Sequence, residues 1–260
     1  MRLFDTHAHY YDEHFDADRD AVLSSLPGKG VERVVCPGCD LASSRQSMAL
    51  AEKYPFLYFA AGLHPENREG AALADLEEVK RLCAHPKCVA VGEIGLDYYW
   101  VKTPEERKNS RDFFDAQLSL SEELDLPAIV HDRDAHKDTL DIVRAHPKAR
   151  GVFHCCALSA EDAKVALDLG WYLSFTGNIT FQKARRALEV IAAAPMDRIM
   201  IETDAPYMTP EPFRGRRNDS GYVYRVTETV AQVKGLSTEE AAELTFLNGL
   251  RFFGLEDNSL

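Results

Sequence analysis

The sequence has no apolar run approaching ~18 residues, the length that a membrane-spanning helix needs. Its first residues run directly into polar Asp5, so the apolar core of a secretory signal peptide is missing as well. Six cysteines in a chain without such a signal suit a reducing compartment. We therefore expect a cytoplasmic protein that does not contact membranes.

The chain has fewer positive than negative residues. Its 30 Lys and Arg and 42 Asp and Glu give a formal net charge of −12. This balance argues against a protein that binds nucleic acid broadly through its surface. It leaves open a phosphate-bearing substrate that is held by metals and a local group of arginines. Low-complexity segments, Gly/Ser linkers and charge blocks are also missing. Residues 1–260 are therefore predicted to form a single domain, with a monomer favoured.

Short apolar runs alternate with longer amphipathic stretches throughout the chain. Eight runs are predicted to be strands: Leu3–Thr6, Glu32–Cys36, Leu57–Gly62, Cys88–Gly92, Ala128–His131, Gly151–Cys155, Trp171–Phe175 and Arg198–Glu202. The clearest helical patterns are Leu41–Lys53, Leu73–Cys83, Pro104–Leu124, Ala160–Leu169 and Phe181–Ala194. Thr103 before Pro104 is typical of a capped helix start.

A strand followed by a helix, repeated about eight times, predicts an α/β fold of the (β/α)8 TIM-barrel type. The competing architecture is an open, doubly wound sheet. Its dinucleotide-binding version is weakened because no Gly-x-Gly-x-x-Gly motif follows the first strand.

Histidines and carboxylates recur where the predicted strands end. His7 and His9 follow the first strand and can aim two imidazoles at one point, because alternate residues of a strand share a face. The later strand ends hold the other candidates, which are His64, Glu93, His131, His154 and Asp204. In a barrel all these ends meet at one rim, where the active sites of this fold lie. The pattern therefore predicts a metal site.

These residues belong to longer motifs spread over nearly the whole chain. The motifs are F-D-T-H-A-H from Phe4, G-L-H-P from Gly62, V-G-E-I-G-L-D-Y-Y from Val91, H-D-R-D-A from His131, E-T-D-A-P-Y from Glu202 and P-F-R-G-R-R-N from Pro212, with a late Asn248. Together they resemble the TatD family of metal-dependent deoxyribonucleases, within the amidohydrolase-like barrels.

The resemblance implies two divalent metal ions per chain. It places His7, His9, Glu93 and Asp204 around the first ion, and Glu93, His131 and His154 around the second. Glu93 then bridges the ions, and a bridging carboxylate can bring two cations within ~4 Å, as in two-metal hydrolytic sites. Mixed His and carboxylate ligands suit zinc, manganese and, less well, magnesium.

The implied activity is hydrolysis of phosphodiester bonds by a water that the two metals activate. The expected substrate is single-stranded DNA, shortened from its 3′ end. Asp204 is the candidate to orient or deprotonate the water, and with Glu93 and His64 it forms the predicted catalytic set. His64 is expected to contact a substrate phosphate or to donate a proton.

Other residues are expected to support the ligands or to hold the substrate. Strand parity places Asp5 and Glu202 below the metals, where each can fix an imidazole or can simply be a satisfied buried carboxylate. Tyr98 and Trp100 can stack a nucleobase or pack as a lid. Local phosphate contacts are expected from Arg133, Arg214, Arg216 and Arg217.

Two other functions stay open. The first is a hydrolase of a C–N or C–O bond, aminoacyl-tRNA deacylation included, although many such enzymes have a lysine where Glu93 stands here. The second is a non-catalytic scaffold, which the intact ligand set disfavours. Cys36 and Cys39 form a C-x-x-C pair after the second strand, for which two ordinary thiols are favoured over a redox pair.

Overall fold

The computed structural model describes residues 1–66 and 72–257. Eight parallel strands form one sheet in chain order, each hydrogen-bonded to the next. They are β1 (Leu3–Asp5), β2 (Val31–Pro37), β3 (Leu57–Ala61), β4 (Cys88–Asp97), β5 (Ala128–Arg133), β6 (Gly151–Phe153), β7 (Tyr172–Phe175) and β8 (Ile199–Ile201). The predicted TIM-barrel fold is confirmed.

Helices follow the strands and cover the sheet. The α-helices of the described residues are α1 (Arg19–Ser25), α2 (Leu41–Lys53), α3 (Leu76–Cys83), α4 (Pro104–Leu124), α5 (His136–Ala145), α6 (Ala160–Asp168), α7 (Arg185–Ala193), α8 (Val223–Lys234) and α9 (Thr238–Phe253). Helix α4 begins as predicted, because the Thr103 hydroxyl accepts a hydrogen bond from the main-chain N–H of Glu106.

An apolar layer fills the barrel below its rim. Every strand contributes to it: Phe4, Val35, Ala60, Val89, Ala90, Ile129, Val152, Tyr172 and Met200. Aromatic residues of α9, among them Phe246 and Phe253, pack against the same layer. Asn248 of α9 donates to the carbonyl oxygens of Met196 and Ile199, both at 2.8 Å, and so fastens this helix at the start of β8.

The barrel closes between β1 and β8 through hydrogen bonds that lie mostly beyond the ends of these short strands. The main-chain N–H of Thr6 donates to Ile201 at 3.2 Å. Further along, the N–H of Asp204 donates to the carbonyl of His7 at 2.9 Å, and the N–H of His9 donates to the carbonyl of Ala205 at 2.7 Å. Three predicted ligands therefore lie directly on the seam of the barrel.

Strand β4 is longer than predicted, so Glu93 lies inside it. Its second half continues beside β5, with Gly95 opposite His131 and Asp97 opposite Arg133. Gly95 has a φ of +133°, and a Cβ there would stand 2.1 Å from the carbonyl oxygen of His131. Glycine is therefore required for the close approach of the two strands that carry ligands. By contrast, β6 ends at Phe153, one residue before His154.

Candidate metal centre

The Glu93 carboxylate lies at the middle of the predicted cluster, and its two oxygens face different histidines. Oε2 is 3.2 Å from Nε2 of His7 and 3.6 Å from Nε2 of His9. Oε1 is 3.1 Å from Nδ1 of His131 and 2.8 Å from Nε2 of His154. One carboxylate thus separates two pairs of imidazoles, which is the arrangement that a bridging ligand needs.

Asp204 completes what we call the first group, formed by His7, His9, Asp204 and Oε2 of Glu93. Its Oδ1 is 3.3 Å from Nε2 of His9 and 3.8 Å from Nε2 of His7. The two Nε2 atoms are 3.1 Å apart. Ligands bound tetrahedrally at about 2.1 Å stand about 3.4 Å from one another, so these spacings fit one small divalent ion.

The second group comprises His64, His131, His154 and Oε1 of Glu93. Nδ1 of His131 and Nε2 of His154 are 3.3 Å apart. His64 adds a further nitrogen, because its Nε2 is 3.2 Å from Oε1 of Glu93. Its ring meets the His131 ring edge to face at 4.4 Å between centroids. His64 therefore lies inside the cluster rather than on a loop beside it.

Burial and the neighbouring charged groups act against each other on the pKa values of the centre. Burial would raise the pKa of the Glu93 carboxyl, but the charges of His154, His64 and His7 hold that pKa well below its usual value. Burial lowers the pKa of His64 to about 4. It also disfavours charge on His131, yet hydrogen bonds to Asp97 and Glu93 raise the pKa of His131 to about 9.

Carboxylates stand behind the imidazoles of the second group. Oδ2 of Asp97 is 3.0 Å from Nε2 of His131, on the side of the ring away from Glu93. Oε1 of Glu202 lies 3.4 Å from Nδ1 of His154 and accepts a 2.6 Å hydrogen bond from the N–H of Cys155. Glu202 was predicted to support a ligand, whereas Asp97 was not. Asp97 is four residues after Glu93 and therefore on the same face of the strand, and this spacing is the signal in the sequence that could have identified it.

In the first group, His9 has neutral hydrogen-bond partners instead. Nδ1 of His9 is 3.0 Å from the Tyr11 hydroxyl and 3.3 Å from the carbonyl oxygen of Pro37. Nδ1 of His7 is buried and has no hydrogen-bond partner among residues 1–66 and 72–257. The Tyr11 hydroxyl donates to Sγ of Cys39 at 3.1 Å. Cys39 is a free thiol 3.9 Å from Oε2 of Glu93, and Cys36 is free as well.

Asp5, predicted to lie below the metals, is engaged at the seam. Its carboxylate accepts hydrogen bonds from the N–H of Thr203 at 2.8 Å and from the Thr203 hydroxyl at 2.5 Å. The N–H of His7 also donates to it, at 3.3 Å, but the His7 ring does not. Burial raises the pKa of Asp5 to about 7. Asp5 therefore holds the main chain on both sides of the seam.

Two buried amides fix the loops that carry His64 and Asp204. Gln117 of α4 accepts from the N–H of Leu63 at 2.8 Å and donates to its carbonyl at 3.1 Å. Asn218 donates to the carbonyls of Thr203 at 2.9 Å and Tyr207 at 2.7 Å. Asp204 itself has a φ of +57°, a conformation that non-glycine residues seldom adopt. The amide contacts hold it there.

The aromatic residues after β4 are divided between packing and exposure. Tyr98 is buried, donates to Asp138 at 2.5 Å and accepts from Arg111 at 3.1 Å. Tyr99 and Trp100 are 43% and 58% exposed. The guanidinium of Arg133 stacks on the Tyr99 ring, 3.9 Å from its centroid. Of the two predicted stacking residues, only Trp100 is thus presented to solvent.

A cavity of about 510 Å³ lies beside the first group, under the loop that follows β8. Its lining includes Phe181, Tyr207, Met208, Arg214 and Arg216. Arg217 also borders the cavity, but its guanidinium binds Asp18 at 2.7 and 2.8 Å. Of the predicted phosphate contacts in this loop, Arg217 is therefore already paired.

A barrel whose rim holds clustered histidines around one shared carboxylate is of the metal-dependent hydrolase class. The family model described as TatD related DNase matches residues 4–254. The chain belongs to the TatD family, and the predictions of this family and of a metal-dependent hydrolase are confirmed.

Similar proteins match this chain over nearly their whole length. An uncharacterized metal-dependent hydrolase, YabD of Bacillus subtilis, is 41% identical and covers 96% of this chain and 98% of its own. A Klebsiella pneumoniae protein named 3′-5′ ssDNA/RNA exonuclease TatD is 31% identical over 99% of this chain and 100% of its own. The crystal structure of YjjV, a TatD homologue from Escherichia coli, superposes with a TM-score of 0.91 at 30% identity, covering 98% of this chain and 99% of the other.

Within the residues that the structure describes, every helix is too short or too polar to cross a membrane.

Proposed function

We propose that this protein hydrolyses the phosphodiester bonds of single-stranded DNA from a 3′ end, with two divalent ions shared by Glu93. The carrying observation is that the two Glu93 oxygens face two separate sets of nitrogen donors, each with spacings that suit one ion. The name of the Klebsiella relative, an exonuclease acting on single-stranded DNA and RNA, supports the substrate.

When bound, two such ions polarise the phosphoryl group and lower the pKa of a water molecule to near neutrality. Asp204 lies at the edge of the first group and is the most exposed carboxylate of the centre, with 13% of its side chain accessible. In this proposal Asp204 orients that water and takes up its proton. In this proposal His64, whose Nε2 is 3.2 Å from Oε1 of Glu93, contacts a phosphoryl oxygen.

The form of the site favours a free strand end over duplex DNA. The ligands lie at the mouth of a closed barrel, and a terminal nucleotide enters such a concave site more easily than a rigid duplex does. The net charge of −12 offers little general attraction for duplex DNA, whose binding depends on phosphate neutralisation. Zinc, manganese and magnesium are the candidate ions, in that order of ligand preference.

The test uses single-stranded and blunt duplex oligonucleotides, labelled at the 5′ end, beside a closed circular plasmid, with manganese, magnesium or zinc added. We expect laddered shortening of the single strand and little action on the duplex. A single-stranded RNA of the same sequence tests whether cleavage requires deoxyribose. Efficient nicking of the circle without shortening of the linear strand would contradict the proposal, since a circle has no end. Cleavage of aryl esters or amides alone would instead support the C–O or C–N hydrolase.

A further inference from the structure

The cavity beside the first group has walls of two chemical kinds. Tyr207 and Met208 present a ring and a thioether that are 49% and 40% exposed, as residues. On another side Arg214 stacks on the Phe181 ring, with its guanidinium carbon 4.3 Å from the centroid. Arg216 lies 5.9 Å from the Phe213 ring centroid. A flat apolar surface therefore faces the same space as two cations.

Arg214 and Arg216 differ from Arg217 in their pairing. Arg217 binds the Asp18 carboxylate and the carbonyl of His14. Within residues 1–66 and 72–257, no carboxylate oxygen lies within 4.0 Å of a guanidinium nitrogen of Arg214 or Arg216. Two guanidinium groups without an acidic partner, in a chain of net charge −12, are available to an external anion.

The cavity is held in a fixed position relative to the metal centre. The N–H of Tyr207 donates to the carbonyl of Asp204 at 2.9 Å, and the Tyr207 ring centroid is 6.5 Å from that of His9. The Tyr207 hydroxyl donates to Asp12 at 2.8 Å, which fixes the direction of the ring. Across the loop, the Thr209 hydroxyl donates to the carbonyl of Arg216 at 2.6 Å.

We propose that this cavity is a nucleotide subsite, in which Tyr207 and Met208 contact the base and Arg214 and Arg216 bind the phosphate next to the one that is cleaved. This inference rests on the proposed nuclease function. It adds that the substrate strand lies on the side of the metal centre where the loop after β8 is found. The volume of about 510 Å³ falls in the usual range for small-ligand pockets, roughly 300–1,000 Å³. Stacking on Tyr207 also selects unpaired bases.

The phosphate contacts are tested with Arg214→Ala and Arg216→Ala. Arg185→Ala is the matched control, because this substitution removes the same charge from an exposed position. Arg185 lies on α7 and pairs with Glu189. Each test variant is expected to raise KM for a single-stranded oligonucleotide about tenfold, as expected of a lost charge-assisted hydrogen bond. Each should also reduce the slope of log KM against log salt by about 0.7, the contribution of one phosphate contact on a single strand.

A small phosphodiester without a nucleoside, bis(p-nitrophenyl) phosphate, separates the subsite from the metal centre. In both variants its hydrolysis should fall much less than that of the oligonucleotide, and elemental analysis should find the metal content of the wild type. If Arg214→Ala and Arg216→Ala affect the oligonucleotide no more than Arg185→Ala does, the subsite is overturned while the nuclease function stands. If the wild type hydrolyses the small ester but no oligonucleotide, the proposed function fails and the subsite fails with it.

The base contact is tested by combining Tyr207→Leu with oligonucleotides that carry an abasic residue at the 3′ terminus or at the next position. In the wild type, removal of one of these bases should lower kcat/KM by roughly 5- to 150-fold, the range of base–aromatic stacking. In Tyr207→Leu the same removal should cost much less. An equal loss in both proteins, at both positions, would exclude Tyr207 from base binding.

Discussion

The two groups of histidines around Glu93 share one carboxylate but are supported differently. In the second group, Asp97 stands behind His131 and Glu202 stands near His154. In the first group, His9 has a phenol and a carbonyl behind it. A carboxylate behind a ligand imidazole fixes its tautomer and raises its basicity. In the second group Asp97 therefore makes His131 the stronger nitrogen donor, whereas His9 of the first group has only neutral hydrogen-bond partners.

Removing the shared carboxylate should erase the difference between the groups. Glu93→Gln keeps the size of the side chain but loses the charge that both groups use. We expect loss of both ions and no detectable phosphodiester hydrolysis. Elemental analysis and activity measurements check this, and near wild-type occupancy in the variant would contradict the bridging role.

His64 tests whether the second group is all metal-binding. If His64 contacts a substrate phosphate, His64→Ala should retain both ions and lose ~10- to 150-fold in activity, since a charge-assisted hydrogen bond is worth about 1.5–3 kcal/mol. The checks are metal content and kcat/KM on an oligonucleotide. Loss of one ion would make His64 a ligand instead, and unchanged kinetics would leave it a purely structural residue.

Substitutions of the residues behind the imidazoles, Asp97 and Tyr11, compare the two groups most directly and should have the smallest effects on metal binding. Asp97→Asn should weaken metal binding by the second group roughly 10- to 100-fold. Tyr11→Phe should weaken the first group by only about two- to tenfold, because a neutral hydrogen bond contributes about 1 kcal/mol. Competition with a chelator of known affinity measures both constants. Equal effects of the two substitutions would show that the supporting charge is unimportant.

Much of the centre follows from the positions of residues on strands. The candidate ligands lie together because the carboxyl ends of the strands of a parallel barrel meet at one rim. The pattern of strands in the sequence was enough to predict this. The same alternation along β4 places Asp97 on the face of Glu93, and extended by one residue it places Tyr98 on the opposite face. The sequence therefore contained the signal that Asp97 supports His131 and that Tyr98 packs against α5.

Other features depended on contacts that no local pattern contains. The register of β4 against β5 shifts between Val91 and Ile94, the segment that contains Glu93. Asp5 bonds to Thr203, almost two hundred residues away in sequence, instead of to an imidazole. The pairing of Arg217 with Asp18 likewise requires two distant loops to meet. Such contacts are set by tertiary packing.

The position of the first group on the seam of the barrel has a consequence for unfolding. His7 and His9 come from the start of the chain, and Asp204 comes from the end of the last strand. An ion held by all three cross-links the two ends of the sheet and closes a loop of almost two hundred residues. Such a cross-link acts as a disulfide does. It lowers the conformational entropy of the denatured chain, and this effect is larger when the closed loop is longer. Such an ion would add to the hydrogen bonds that already join the first and last strands of the barrel, and its removal would leave the seam to those bonds alone.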